Sequence, residues 1–399
     1  MIKKLSIQQA RKIVLHSQKL PPINQKGNAL AATFTAIENL GYIQIDTISA
    51  IQRAHHHTLW NRNPKYKNSH IDQLLKDKKI FEYWSHAAAY LPMKDFRFSL
   101  IRKHALLSGK DNHWFVRDEK LMNYVLHRIA NEGPLLTRDF KNSGKKIGEW
   151  GSKPTKQALE NLYMQGDLMI PYRVNFHKVY DLTERVIPDN VDTTLPNKEQ
   201  YARYLIIRYL QANGLGQVAE ISYLLKNIKL LITETLQEMV LNNELIQVFV
   251  GENTYYALPD VLELLNKPLA KSKLKILSPF DNFLIQRKRM KYFFDFDYQL
   301  ECYLPADKRK YGYFSLPILY EGKLVARMDC KAERKLSLLQ IHNIILEPSL
   351  KKMDDFVSVL CKELKSFMLF NNCKNVRVNN TTPINLKSII ESEIEGMKI

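Results

Sequence analysis

Hydrophobic positions recur along the chain in one compound pattern that occurs three times. A stretch with apolar residues at helical spacing is followed at once by short alternating runs closing on a Tyr-Leu or Tyr-x-Leu pair. The second copy is the most regular. Ala158, Leu159, Leu162 and Tyr163 mark a helix from Pro154 to Gln165, and Gly166-Asp167 stops it. Leu168-Met169-Ile170 and Val179-Tyr180-Asp181-Leu182 then flank a polar turn around Asn175. The third copy runs from Thr233 through Leu236, Met239, Val240 and Asn243. It continues as Leu245-Ile246-Gln247-Val248-Phe249-Val250, turns at Gly251-Glu252-Asn253 and returns through Thr254 to Leu258, a hairpin signal. The first copy is looser: Ile71, Leu74 and Leu75, then Ile80 to Tyr83 and Ala89 to Pro92.

A helical hairpin, a further helix and a two-stranded wing make up the winged-helix plan, which can place its third helix in the DNA major groove and its wing in the minor groove. Helices expected at Glu119 to Asn131, Thr137 to Phe140, Glu199 to Gln211 and Val218 to Leu225 complete the second and third units. Winged helices also serve as protein–protein modules, so the pattern alone leaves the partner open. Proline-punctuated polar stretches from Ile187 to Asn197 and from Asn266 to Lys275 read as linkers. Beyond them lie strand-like runs at Tyr298 to Leu304, Tyr311 to Leu316 and Lys323 to Met328, then a helix from about Ser349 to Asn371; from about Asn379 no motif is readable. The expected fold is α+β: tandem winged-helix units, a small antiparallel β-barrel-like domain and a C-terminal helix. The expected divisions are 1–117, 118–190, 198–265 and 276–378.

Charge narrows the partner. Lys and Arg number 59 against 41 acids, a formal net charge of +18, and such an excess points to a polyanion, nucleic acid first. An anionic membrane would be the alternative, but no long basic amphipathic helix with an aromatic face is visible, nor any span or leader-like segment. Cys302, Cys330, Cys361 and Cys373 lack zinc or iron–sulfur spacing and read as reduced thiols of a cytoplasmic protein.

The candidate chemistry sits in Gly41-Tyr42-Ile43-Gln44-Ile45-Asp46-Thr47-Ile48. The alternation predicts a strand, on which Ile43 and Ile45 face a core while Gln44 and Asp46 project together from the other side. A carboxamide beside a carboxylate can hold one water, oriented by the first and deprotonated by the second. A plainer reading has Asp46 capping a helix that begins at Thr47, with Gln44 an exposed strand residue. His55-His56-His57 cannot ligate one metal ion, because consecutive side chains diverge on a helix and alternate on a strand, and no carboxylate or cysteine stands at ligand spacing. No metal or cofactor is expected. Basic clusters surround Lys141, Lys145, Lys146, Trp150, Lys153 and Lys156, then Arg287-Lys288-Arg289, then Lys308-Arg309-Lys310, the last placed to be a hairpin tip entering a groove. Each could equally be a solvated face.

Gln44-Ile45-Asp46 resembles the catalytic Gln-x-Asp motif of the YcaQ branch of the YcaQ/AlkZ winged-helix DNA glycosylases. The match extends through Arg53-Ala54-His55-His56 with Leu59 and Arg62, Glu82-Tyr83-Trp84-Ser85-His86-Ala87, and Val179 to Pro188. It continues in Leu277 to Asp281, Arg287-Lys288-Arg289, Leu300 to Tyr303 and Lys310 to Phe314, covering Leu5 to about Phe370. The resemblance implies metal-free hydrolysis of the N-glycosidic bond of N-alkylated purines of the N7-alkylguanine type, and unhooking of interstrand crosslinks. It makes Gln44 and Asp46 catalytic, and a cationic N7-alkylguanine that leaves readily needs no strong general acid. Arg53, His55, His56, Arg62, Lys153, Lys156, Arg287, Arg289, Lys308, Arg309 and Lys310 are the expected contacts to double-stranded DNA. The expected protein is a cytoplasmic monomer that joins the nucleoid during repair. The alternative is a winged-helix transcriptional regulator without catalysis, which would bind a specific site and release no base.

Overall fold

The computed structural model describes residues 3–21, 27–140, 153–269 and 273–396. The chain forms two compact units, one of Met1–Tyr66 with Leu205–Ile399 and one of Lys67–Tyr204.

The discontinuous unit begins with β1 (Lys3–Leu5) and α1 (Ile7–Ser17). Ser6 Oγ accepts from the Gln9 amide and Gln9 Oε1 from the Ser6 amide, a reciprocal cap that starts α1. Next come α2 (Ala29–Leu40), β2 (Ile43–Gln44) and α3 (Ala54–Arg62). Gly41 ends α2 at φ +80°, in the left-handed region glycine adopts without strain, and a Cβ there would stand 3.2 Å from the Arg208 guanidinium.

The Lys67–Tyr204 unit holds α4 (Ser69–Lys76), β3 (Ile80–Trp84), β4 (Ala88–Pro92), α5 (Phe96–Leu107), α6 (Glu119–Glu132), β5 (Leu135–Leu136), α7 (Pro154–Gln165), β6 (Leu168–Met169), β7 (Arg173–Val174), β8 (His177–Leu182) and α8 (Thr183–Val186). The first two expected wings are antiparallel pairs, Ile80 opposite Pro92 and Leu168 opposite Leu182. Thr137–Asp139 forms a single 3₁₀ turn in place of the helix expected from Thr137 to Phe140. Phe81, Tyr83, Phe96, Val125, Ile129, Leu159 and Tyr180 build the core, each burial contributing roughly 1.5–3 kcal/mol relative to exposure. Glu82 is buried among these residues and takes both arms of Arg173 at 2.8 and 2.6 Å, while Lys178 and the Tyr180 hydroxyl converge on Glu160. Lys103, also buried, faces the rings of Phe96 at 4.0 Å and Tyr83 at 4.7 Å; burial pulls its ammonium pKa down to about 7.

Helix α9 (Lys198–Asn213) carries the chain across Tyr204 into the first unit again. There follow α10 (Val218–Ile221), α11 (Lys229–Leu241), β9 (Ile246–Val250), β10 (Asn253–Ala257), β11 (Leu274–Ile276), α12 (Arg287–Phe294), β12 (Ser315–Tyr320), β13 (Lys323–Glu333), β14 (Leu338–Leu346), α13 (Met353–Phe370), β15 (Asn375–Thr382) and α14 (Leu386–Gly396). The third wing, β9 with β10, is an antiparallel hairpin, and β1 adds to it in parallel, Lys3 opposite Val248.

The C-terminal sheet runs β11-β12-β13-β14-β15. It is open, with β11 and β15 at its edges, where a barrel-like closure was expected. It is also mixed: β14 and β15 are parallel, which requires the crossover supplied by α13. Tyr298 to Leu304 and Tyr311 to Phe314, expected as strands, instead form an irregular loop before β12. Two carboxylates hold that loop through its backbone. Glu301 accepts from the amides of Tyr311 and Gly312, and Asp329 from those of Tyr313 and Phe314. Side-chain capture of the amides replaces strand pairing.

Candidate active site

Gln44 closes β2, so the two-residue alternation of a strand stops short of Asp46. Ile43 and Ile45 are buried, as the alternation requires; Gln44 is nearly so, at 9% exposure, and Asp46 is half-buried. No helix begins at Thr47, which removes the capping reading: α3 starts at Ala54. Asp46 bends back on its own loop, and its Oδ1 accepts from the Ile48 amide at 2.7 Å. Burial raises the Asp46 carboxyl above the usual carboxylate range, and the backbone amides of Ile48 and Thr47 pull in the opposite direction. Among the described residues no cation forms an ion pair with it.

The neighbours of Asp46 come from the irregular loop before β12. Burial, then the Asp46 carboxylate, pushes the Cys302 thiol up; burial, then Cys302 and Asp46, does the same to the Tyr303 phenol. Tyr303 is 73% exposed. Arg309 and Arg287 act on Cys302 in the other direction, so positive charge borders this neighbourhood. Arg309 is anchored by donating to Leu304 O at 2.9 Å and lies over the Tyr313 ring. Nothing in the linear spacing pairs Tyr303 with Asp46, and the sequence reading had missed it.

The other expected contacts divide by exposure. Lys153, Lys156, Arg287, Lys308 and Lys310 are exposed, and Arg309 and Arg53 are half-buried. Lys141, Lys145, Lys146 and Trp150 lie outside the described residues. Three expectations need correction. Arg62 is 0% exposed, with its guanidinium saturated by Asp281 at 2.7 and 2.8 Å, Gln18 and Thr58 O. Arg289 is buried against Glu220 at 2.8 Å and Asn213 O. His55 is buried as well. Such groups hold the unit together and present no donor to a phosphate. His56 is half-buried with Nδ1 2.6 Å from the Tyr66 hydroxyl, and burial, then Arg53, pulls its pKa down to about 3, so the imidazole is neutral. His57 is a core residue whose Nε2 lies 2.8 Å from Ile276 O. The His55 and His56 rings lie 4.1 Å apart while His57 faces the core, and among the described residues no group of His, Cys, Asp or Glu could hold a metal ion.

No helix among the described residues is long and apolar enough to cross a membrane. The fold is similar to that of the DNA glycosylase AlkZ of Streptomyces sahachiroi, with a TM-score of 0.62 at 14% identity, covering 94% of this chain and 100% of that one. Residues 37–370 match the family described as DNA glycosylase AlkZ-like, a span that includes Gln44, Asp46 and the Tyr303 loop. The chain therefore belongs to the AlkZ-like DNA glycosylases and is an N-glycosyl hydrolase of DNA repair.

Proposed function

We propose that this glycosylase is monofunctional, releases N-alkylated purines of the N7-alkylguanine type from duplex DNA and unhooks interstrand crosslinks, using a water held between Gln44 and Asp46. The observation that carries this reading is the state of Asp46: a half-buried carboxylate with no ion-pair cation among the described residues, close enough to the exposed Tyr303 to act on its phenol. A partly dehydrated anion interacts strongly with any positive charge that develops beside it. N7-alkylation makes the purine cationic, so the C1′–N9 bond breaks with its electron pair passing to the base and positive charge gathering on the sugar. Asp46 stabilises that sugar and takes a proton from the water as its oxygen bonds to C1′, leaving an abasic site and a free purine. Gln44 orients the water through its carboxamide. No amine attacks C1′, so no strand cleavage accompanies release.

Exposed Lys153, Lys156, Arg287, Lys308 and Lys310, with Arg309, supply phosphate contacts that give affinity without reading sequence, which suits a lesion enzyme. The irregular loop carrying Tyr303 and Arg309 replaces the hairpin tip in that role. Winged-helix units at 1–117, 118–190 and 198–265 and the sheet domain at 276–378 carry these surfaces in a cytoplasmic monomer that meets its substrate at the nucleoid. The test is incubation with duplexes bearing N7-methylguanine or a mustard crosslink. Free methylated base and unhooked strands are expected. DNA binding at one preferred sequence without base release would overturn the proposal in favour of a regulator.

A further inference from the structure

The loop between β2 and α3 has no secondary structure of its own, yet it is held along its length by residues from the far end of the chain. Ahead of it, Asn282 Nδ2 donates to Tyr42 O at 2.9 Å, just before β2. Within it, Arg334 Nη1 donates to Ser49 O at 3.2 Å and the Ala332 amide donates to Ala50 O at 2.7 Å. Ile51 is fully buried. At its end the Gln52 amide donates to Asn371 Oδ1 at 2.8 Å, and Gln52 Nε2 to Phe370 O at 3.3 Å. Helix α3 is then docked where His57 and Asn61 reach Ile276 O and Trp60 stacks on Phe370 at 4.8 Å.

The groups that grip the loop are themselves fixed. Ala332 lies in β13, paired with Leu339 of β14. Asn371 is 0% exposed, and its Nδ2 donates to Phe367 O at 2.8 Å. Asn282 follows Asp281, which is locked to Arg62. No single neutral hydrogen bond could hold an irregular loop against its backbone entropy, but a series can. These contacts are made to backbone groups on either side of Asp46 and to the Gln52 side chain, not to the carboxylate. They can set the direction of that carboxylate, through the Ile48 amide that it accepts from, without occupying its other oxygen.

We infer that the C-terminal sheet and α13 act as a clamp on the Asp46 loop, with Asn282 and Asn371 as positioning residues for the hydrolytic step. The inference rests on the reading of Asp46 as the carboxylate of the reaction. Displacing a reacting group by about an ångström costs on the order of 100-fold in rate while leaving distant phosphate contacts in place.

Asn282→Asp keeps the size of the side chain and turns the donor facing Tyr42 O into an acceptor. Asn371→Leu removes the acceptor for the Gln52 amide. Arg334→Ala removes an exposed tether. On the full chain, single-turnover release of N7-methylguanine, the DNA dissociation constant and hydrogen exchange of the Ile48 and Gln52 amides are measured together. Asn282→Asp and Asn371→Leu are expected to slow release about 10- to 100-fold, with DNA affinity within about threefold of wild type and faster exchange at Ile48. Arg334→Ala is expected to slow release about threefold. Release within twofold of wild type in all these variants, or a loss of affinity that accounts for the loss of rate, would overturn the clamp. If Asn371→Leu does not fold, Asn282→Asp and Arg334→Ala decide. If the wild-type protein releases no base, the glycosidic reading fails by itself, and unchanged Ile48 and Gln52 protection in the folded variants would still sink the clamp.

Discussion

Asp281 and Asp46 lie in the same unit and carry the same functional group, but in opposite surroundings. Asp281 is fully buried and meets Arg62 through both oxygens, with Gln18 and Thr58 completing the guanidinium. Every polar atom of that ion pair is spent, and what it yields is the fixed packing of α3. Asp46 is half-buried, bonded to the Ile48 amide and without an ion-pair partner among the described residues. Its charge is dehydrated without being neutralised, so it remains available to a cation. Burial with a partner makes structure; burial without one stores an electrostatic demand that a substrate can meet.

The sharpest way to break this contrast is Asp46→Asn. It is expected to slow single-turnover base release about 1,000-fold with DNA affinity unchanged, because only an interaction of the transition state is removed. A rate near wild type would place Asp46 with Asp281 as a structural residue. The pH profile carries the same distinction. On the proposed mechanism the ionised form is the active one, and its pKa is raised, so release should be lost as pH falls through a midpoint above the usual aspartate range. Stability runs the other way: the Asp46 contribution is present at low pH and lost as pH rises through that midpoint, so Asp46→Asn should melt no lower than wild type at pH 7.

Arg62→Met inverts the expectation. Leaving Asp281 buried and unpaired should cost about 3–5 kcal/mol in chemical denaturation, with a smaller loss of base release per folded molecule than Asp46→Asn causes. Lys103 extends the contrast to a cation with aromatic partners. Because its folded pKa is lowered to about 7, its contribution to stability is full above the unfolded lysine value and is lost as pH falls toward 7. Lys103→Met should therefore raise the melting temperature at pH 7 by about 5 °C and flatten its rise between pH 7 and 10. A milder loss is expected for Gln44→Ala, about tenfold in single-turnover release, if Asp46 holds the water as proposed; a loss equal to that of Asp46→Asn would mean that the amide and the acid act as one unit.

Much of the winged-helix region was legible because its local signals agree. Gly251-Glu252 turns the chain between β9 and β10, with Asn253 already paired to Val250, and Gly166 ends α7 at φ +100° where its helical period stops. The C-terminal region was read less well. Tyr298 to Leu304 alternates like a strand, but Glu301 and Asp329 capture the neighbouring amides and leave nothing to pair. Strand β15 and helix α14 lie where no motif was readable, because a parallel strand is called for by its partner β14 rather than by its own sequence. At the candidate site the residue types of Gln44 and Asp46 were visible, and the strand geometry assumed for them was not what forms. Arg62, Arg289 and His55 stood in basic or family-like runs, yet their burial depends on Asp281, Glu220 and packing that only the folded chain brings near.

The split of the first unit has a consequence for synthesis. The Lys67–Tyr204 unit is continuous and can collapse while translation proceeds, whereas Met1–Tyr66 must wait for residues that follow Leu205. At roughly 5–20 residues per second, the stretch bearing Gln44 and Asp46 leaves the ribosome on the order of tens of seconds before Asn371 does. On the proposed roles of Asp46 and its clamp, a nascent or prematurely terminated chain would carry the basic surface before its carboxylate is aimed, and competence to cut the glycosidic bond would arrive only once Asn371 has been made.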